Sequence, residues 1–331
     1  MHVALTRICA AAALLGASSA TSLAQEVTLR ISLQLPLASH LGENLELFSN
    51  EVAALSSGTI AVEIRDSAQL YTDEEVSEAV GAGKIEMGAV SLASYGNAIA
   101  AVDVFDMPFL FNTEGKVRAA VAPGSPIRTA IDTAIGETGS KVLWWQAYGS
   151  VILLSNGAPI AAPGDLEGKT VRVFGRTLGQ WVETLGGTPV LIPGSEQALA
   201  YQRGTVDVGM TGVSTVDSRS LWEVMDTITK VDIADIEFVV VINQRVWDGL
   251  GDAQRQWIEA AASAAETDVR DRMAVIEARS YAAARQHGMT VYQLSEREIA
   301  AWREASQPFI DAWLRATGDL GEALYAAAGQ L

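Results

Sequence analysis

The stretch KTVRVFGRTLGQWVETLGGTPVLIPGSEQALAYQRGTVDVGM, residues 169–210, decides the architecture. Residues 169–174 read as a strand, 177–185 as a helix and 188–192 as a second strand. After Gly194, residues 195–203 read as a helix with Ser195 as its N-cap and Gly204 as its stop, and 206–210 close the stretch as a strand. Strands alternating with helices imply a parallel sheet with helices on both faces.

The same alternation extends upstream. Residues 27–33 (VTLRISL) alternate with period two, 40–56 carry Leu45, Phe48, Val52 and Leu55 at helical spacing, and Ser57-Gly58 ends that helix. Strand 59–64, helix 72–82 and short strand 86–91 follow; the pattern then restarts with strands at 141–145 and 151–155 and a Pro-rich loop at 158–168. Two successive blocks imply two lobes, with a small-molecule site expected in the cleft between them. Downstream, the β-branched run FVVVI at 238–242 suits a fully buried parallel strand. Residues 252–287 contain neither Gly nor Pro, which predicts one helix of about 50 Å, longer than a single lobe. A last helical region covers 295–316.

The first 24 residues read as an address. Arg7 is a short basic region, 8–16 are apolar, and 17–24 are small and polar, ending Ser22-Leu23-Ala24. The apolar run is about half the ~20 residues that span a bilayer. Cleavage near Ala24 takes away Cys9, the only cysteine, so the mature chain forms no disulfide. It also takes Arg7, moving the formal charge from −17 to −18. So acidic a protein argues against nucleic acid and against anionic membrane surfaces. No later segment is apolar for long enough to insert in a membrane.

The chemistry of catalysis is missing its parts. His2 leaves with the signal, and His40 and His287 alone make no metal site. His287 sits before Gly288 at the end of the long helix, where a cation suits the dipole, and reads as structural. There is no G-x-S-x-G elbow and no G-x-G-x-x-G fingerprint. The run GDLEGKT at 164–170 is one residue short of a P-loop and precedes a strand rather than following one. These absences argue against an enzyme.

Residues 159–173 (PIAAPGDLEGKTVRV) and 186–208 resemble the solute-binding proteins of TRAP transporters. Pro159, Ile160, Pro163, Asp165, Leu166, Gly168, Arg172 and Val173 match the family pattern, as do Gly186, Pro189, Ser195, Glu196, Ala200, Gln202, Gly204, Val206 and Asp207. Upstream, 35–42, 67–75, 85–87 and 106–111 (DMPFLF) continue the likeness in register. The resemblance implies a two-lobed periplasmic binding protein fold of α/β class, with hinge strands and a long helix spanning both lobes. Lobe I would comprise 25–148 plus 237–276, and lobe II 149–236 plus 277–331. It implies capture of a small organic acid by lobe closure and delivery to membrane permease subunits, with no cofactor.

The resemblance also assigns side chains. Arg172 would hold the ligand carboxylate; its place between Val171 and Val173 leaves an ion pair or an exposed edge position equally open, and the family likeness selects the ligand. A guanidinium offers a carboxylate two parallel donors, which Lys cannot copy. Gln34, Ser91 and Thr211 stand at further contact positions. A second arginine of many members falls at Val151, an aromatic residue at Gly194, and Tyr71 replaces a common glycine. These departures point to a monocarboxylate with an apolar or aromatic body, admitted by Val151 and Gly194 and touching Tyr71, Trp145 or Tyr148. Trp144 and Trp145 face opposite ways on a strand, so at most one lines the cleft. A sensor presenting its closed form to a membrane receptor and a secreted α/β enzyme are the competing readings.

Overall fold

The computed structural model describes residues 27–331; the secretory signal expected over 1–24 lies outside them. The described residues contain nine strands in one sheet. In chain order they are β1 Val27–Leu33, β2 Ile60–Arg65, β3 Met87–Ser91, β4 Ser140–Ser155, β5 Thr170–Val173, β6 Thr188–Leu191, β7 Val208–Gly212, β8 Thr227–Asn243 and β9 Thr290–Gln293. Their spatial order is β2-β1-β3-β8-β4-β7-β5-β6, with β9 against β8. The helices are α1 His40–Leu55, α2 Asp73–Gly81, α3 Glu114–Val121, α4 Pro126–Gly136, α5 Arg176–Thr184, α6 Gln197–Gln202, α7 Val213–Ser218, α8 Gln244–Gly249, α9 Asp252–Gln286 and α10 Glu296–Gly329. None of them is long and apolar enough to cross a membrane.

Two long strands divide the sheet into two lobes. The first half of β4 pairs with the second half of β8, from Ser140↔Asn243 to Ala147↔Glu237, and β8 there continues to β3. The second half of β4 pairs with β7 on one side and with Thr227 to Lys230 of β8 on the other. Between Ser150↔Asp235 and Ile152↔Lys230 the register breaks, so that Val151 stands opposite the run Val231, Asp232, Ile233, Ala234. Gly149 (φ 100°) and Asp232 (φ 47°) take left-handed backbone at this break. Bulges bend a strand and sharpen its twist, and this one lies where the lobes meet.

Several expectations change here. The strands read at 141–145 and 151–155 are one strand, because its bulges interrupt the alternation that marks a continuous one. The FVVVI run is fully buried as expected but antiparallel to both neighbours, β3 and β4. The parallel pairs are β1 with β2 and β3, β5 with β6 and β7, and β8 with β9. Helix α6 starts at Gln197 with Glu196 as its N-cap, so Ser195 does not cap it. The helices α3, α4, α7 and α8 and the 3-10 turns of Ala100–Asp106 add to the elements expected from the sequence, although the N-cap Ser125 followed by Pro126 marks the start of α4.

Local chemistry sets the helix ends. Thr72 precedes α2, and Glu75 reaches back to it, its Oε2 accepting both the Thr72 backbone N–H and hydroxyl at 3.0 Å. Ser295 caps α10 in a reciprocal box with Glu298, whose Oε2 accepts the Ser295 N–H at 2.7 Å. Helix α9 has 35 residues, about 52 Å at 1.5 Å per residue. Its small residues Ala261, Ala262 and Ala265 let α1 approach closely, and Asn44 donates to the Ala265 carbonyl at 2.7 Å. Further along, Tyr281 and Ala284 enter the second lobe's core with Ile152, Leu154, Val213 and Val216. Helix α10 runs on beyond 316, past a break at Gly318. Its Ser306 accepts the Trp181 indole N–H at 2.9 Å, and Trp302 donates to the Ala161 carbonyl at 3.0 Å. The same helix packs on α4 and on Ala100–Asp106, so it too spans both lobes. His287 ends α9 and stacks flat on Trp222, ring centroids 4.0 Å apart, a structural place as expected.

Candidate functional site

A narrow cavity of about 30 Å³ lies between the lobes. Arg172 sits in β5, an interior strand flanked by β6 and β7, and is buried with 2 % exposure. The edge-strand alternative therefore fails, and among the described residues Arg172 has no acidic ion-pair partner. Its Nε donates to the Ile192 carbonyl at 2.9 Å and its Nη1 to the Met210 carbonyl at 2.5 Å. Two backbone carbonyls thus fix the plane of the guanidinium, and Nη2 has no partner among the described residues. Burial works against its charge; Tyr201, Tyr148 and Asp73 work the other way.

The alternation of a strand puts Phe174 on the same face as Arg172, and the guanidinium carbon lies 5.7 Å from its ring centroid. Thr211 on β7 and Gly194 in the loop before α6 complete the second lobe's share with Gln197. The first lobe supplies Gln34 and Leu35 after β1, Ser91 at the end of β3, and Asp73 at the start of α2. The crossing strands contribute Tyr148 from β4 and Ile236 and Phe238 from β8. The Tyr148 hydroxyl is hydrogen-bonded to Thr215, and its ring lies 5.2 Å from that of Phe238.

Six of the nine residues expected at the site line this cavity: Arg172, Thr211, Gln34, Ser91, Gly194 and Tyr148. Val151, Tyr71 and Trp145 do not. Val151 is wholly buried opposite Gly212 of β7, just where the bulge alters which side chains face inward. Trp145 is wholly buried against Phe105, and its indole N–H donates to Asp132 at 2.8 Å. Trp144 faces the other way, onto Asn44. Tyr71 packs half-buried on the outside of the main core.

Two charged residues of the lining escaped the sequence. Asp73 accepts the Ser91 backbone N–H at 3.1 Å; burial raises its carboxyl to about 6 despite that bond. Arg219, just beyond α7, reaches across the cleft and donates from Nη2 to the Gln34 backbone carbonyl at 3.0 Å. Its Nε is buried with no partner, and burial again works against the charge. Arg219 thus brings a second guanidinium to the cavity lining, from an element other than the strand that carries Val151. A Cβ at Gly194 would stand 2.5 Å from Oε1 of Gln34, so a side chain there would have to push the Gln34 amide aside. The absent side chain lets the lobes touch.

Among the described residues no group of three or more His, Cys, Asp or Glu is placed to hold a metal ion. A family model for the bacterial extracellular solute-binding proteins, family 7, matches residues 31–316. The C4-dicarboxylate-binding periplasmic protein DctP of Rhodobacter capsulatus is 27 % identical over 305 residues, 91 % of this chain and 90 % of that one. A solute-binding protein of Verminephrobacter eiseniae is 28 % identical, covering 81 % and 80 %. Among solved structures, a Bordetella pertussis extracytoplasmic solute receptor binding pyroglutamic acid superposes with a TM-score of 0.86 at 19 % identity, over 91 % of this chain and 99 % of that one. A TRAP periplasmic solute-binding protein of Sulfurospirillum deleyianum with bound succinate gives 0.86 at 21 %, over 92 % and 98 %.

Proposed function

The chain belongs to family 7 of the bacterial extracellular solute-binding proteins, and from that premise we propose that it captures a small monocarboxylate with an apolar or aromatic body and delivers it to a TRAP-type membrane permease. It is a receptor and not an enzyme. The ligand carboxylate meets Arg172 in the cleft, the lobes close over it, and the closed form is what the permease receives.

The single observation that carries this reading is a buried arginine in a cleft with no acidic partner among the described residues. A buried cation without a counter-charge is costly, and a ligand carboxylate provides one. The relative from Rhodobacter capsulatus is named for C4-dicarboxylates and the one from Sulfurospirillum deleyianum holds succinate, so they support a carboxylate but not a single one; the Bordetella pertussis receptor binds pyroglutamic acid, which has one. Charge balance supports one carboxylate rather than two. The charged side chains lining the cavity are Arg172, Arg219 and Asp73, and above pH 6 Asp73 is ionised, leaving a net charge of about +1 for a monoanion to neutralise. The walls formed by Leu35, Phe174, Ile236 and Phe238 suit an apolar body.

The test is the thermal midpoint of the mature protein against a panel of mono- and dicarboxylates, beside Arg172→Ala. A ligand at 100 times its Kd stabilises by about 2.7 kcal/mol, a shift of a few degrees. A monocarboxylate is expected to raise the wild-type midpoint and to leave the variant unmoved. A shift that survives Arg172→Ala, or a tight dicarboxylate with both groups ionised, would overturn the reading. Cleavage near Ala24 is part of the same proposal, and the N-terminal sequence of the exported protein tests it.

A further inference from the structure

The cavity against Arg172 measures about 30 Å³, far short of the roughly 300 Å³ at which small-molecule pockets begin. The lobes already touch around it, since Arg219 donates to the Gln34 carbonyl at 3.0 Å and Gly194 lies against the Gln34 amide. A second cavity, of about 460 Å³, occupies the outer part of the same cleft. The first lobe walls it with Ala93, Ser94 and Asn97, the second with Val173, Pro189 and Leu191. Among the described residues, Phe174 alone lines both cavities.

Phe174 is also the side chain of the inner wall with least to hold it. Leu35, Ile236 and Phe238 are buried. Arg219 is tied to Gln34, Tyr148 to Thr215, and Gln197 to the Gly194 carbonyl at 3.1 Å. Phe174 is only partly buried, has no hydrogen bond to lose, and has the outer cavity on its other side. Two torsions carry an aromatic ring between staggered positions. The ring sits 5.7 Å from the guanidinium carbon of Arg172, a weak contact that a carboxylate replaces with a stronger one. Resting on the capture of a carboxylate at Arg172, we propose that Phe174 is a gate and a specificity-determining residue: its ring swings aside, the two cavities become one, and the ligand runs from Arg172 into the outer chamber. Selection is then by length. A short acid leaves the chamber unfilled, whereas a longer apolar body lies along Val173, Pro189 and Leu191.

The gate can be tested without knowing the ligand. A chain lacking residues 1–24 has no cysteine, so an introduced one is its only thiol. Thr211→Cys and Ser91→Cys each place it in the inner cavity, and Ser94→Cys in the outer one. Labelling by methyl methanethiosulfonate is expected to be at least about tenfold faster at both inner positions when Phe174→Ala is added, and unaltered at position 94. Inner rates that ignore Phe174→Ala would overturn the gate. Length selection is read by calorimetric titration of the mature protein with propanoate and 4-phenylbutanoate. Wild type should take the longer acid more tightly, and Phe174→Trp, which crowds the passage, should weaken it at least about tenfold while costing propanoate less than about threefold. A preference for propanoate, or equal losses for both acids, would overturn selection by length. Arg172→Ala runs in parallel. Acids that bind it as well as they bind wild type, or that bind neither, sink the capture reading, whereas the labelling rates decide the gate on their own.

Discussion

Glu277, in the last third of α9, accepts the backbone N–H of Ser150 at 3.0 Å, at the point where β4 loses its register with β8. Some two turns earlier on the same helix, Arg270 forks onto Glu237 of β8, with Nη2 to Oε2 at 2.9 Å. The long helix therefore grips both crossing strands beside the break, one through a carboxylate and the other through a guanidinium.

Gly149→Ala should disturb that grip. The position has φ 100°, and an added Cβ would lie 2.4 Å from Oε1 of Glu277 and 2.9 Å from Cε of Met273. Backbone strain alone costs about 1–3 kcal/mol, and the contact with Glu277 adds to it. Urea denaturation is expected to show a lowered midpoint at an unchanged slope. A variant as stable as wild type would mean that the break tolerates a side chain.

Arg270→Met leaves Glu237, whose side chain is 0 % exposed, as an uncompensated buried carboxylate. The expected loss is about 3–5 kcal/mol. Adding Glu237→Leu should restore much of it, since an apolar pair of similar volume is often no less stable than a buried ion pair. A double-mutant cycle by chemical denaturation measures this; equal losses in the single and double variants would contradict it.

Asp73 should make capture pH-dependent. Burial raises its carboxyl to about 6, so it carries its charge above that pH and loses it below. The ionised form offsets one guanidinium, so a monoanion binds less tightly at pH 8 than at pH 5. For an acid whose own pKa is below 4, such as 2-hydroxy-4-methylpentanoate, the gain on acidification should be several-fold, with proton uptake on binding. Asp73→Asn should hold the low-pH affinity throughout. A flat wild-type profile would remove Asp73 from the account.

His40 should govern acid stability. The ring is buried, with Nε2 3.2 Å from the Ala147 carbonyl, and burial lowers its pKa from 6.5 to about 4. The folded chain keeps it neutral over a range in which the unfolded chain takes up a proton. Stability is therefore insensitive to this group above pH 6.5 and falls as pH drops towards 4, at about 1.4 kcal/mol per unit. His40→Gln should lose that slope when stability at pH 7 is compared with that at pH 4.5. A slope that persists in the variant belongs to other groups.

What could be read in advance followed from repeating local signals. Val27–Leu33 was legible because its alternation meets one buried face, and α9 because no Gly or Pro interrupts it. The site was half legible: Arg172 lies in a recognisable strand, and Phe174 follows from Arg172 by counting two. Arg219 and Asp73 were not legible, since each sits at a helix end, where direction is set by tertiary packing and not by a period. Asp73 reads as an ordinary acidic first turn. Val151 was misjudged because a bulge changes the inward face without leaving a mark in the sequence.

The shared strands also bear on how the chain is made. In the first lobe the neighbours of β3 are β1 and β8, and β4 connects to that lobe through β8. No half of the sheet is complete until Asn243 has been synthesised, although β1 to β3 are finished by residue 91. The nascent polypeptide thus carries roughly three-quarters of its length as an unclosed assembly. That delay means that a chain cut short before Asn243 leaves β3 without its partner β8 and cannot close either half of the sheet.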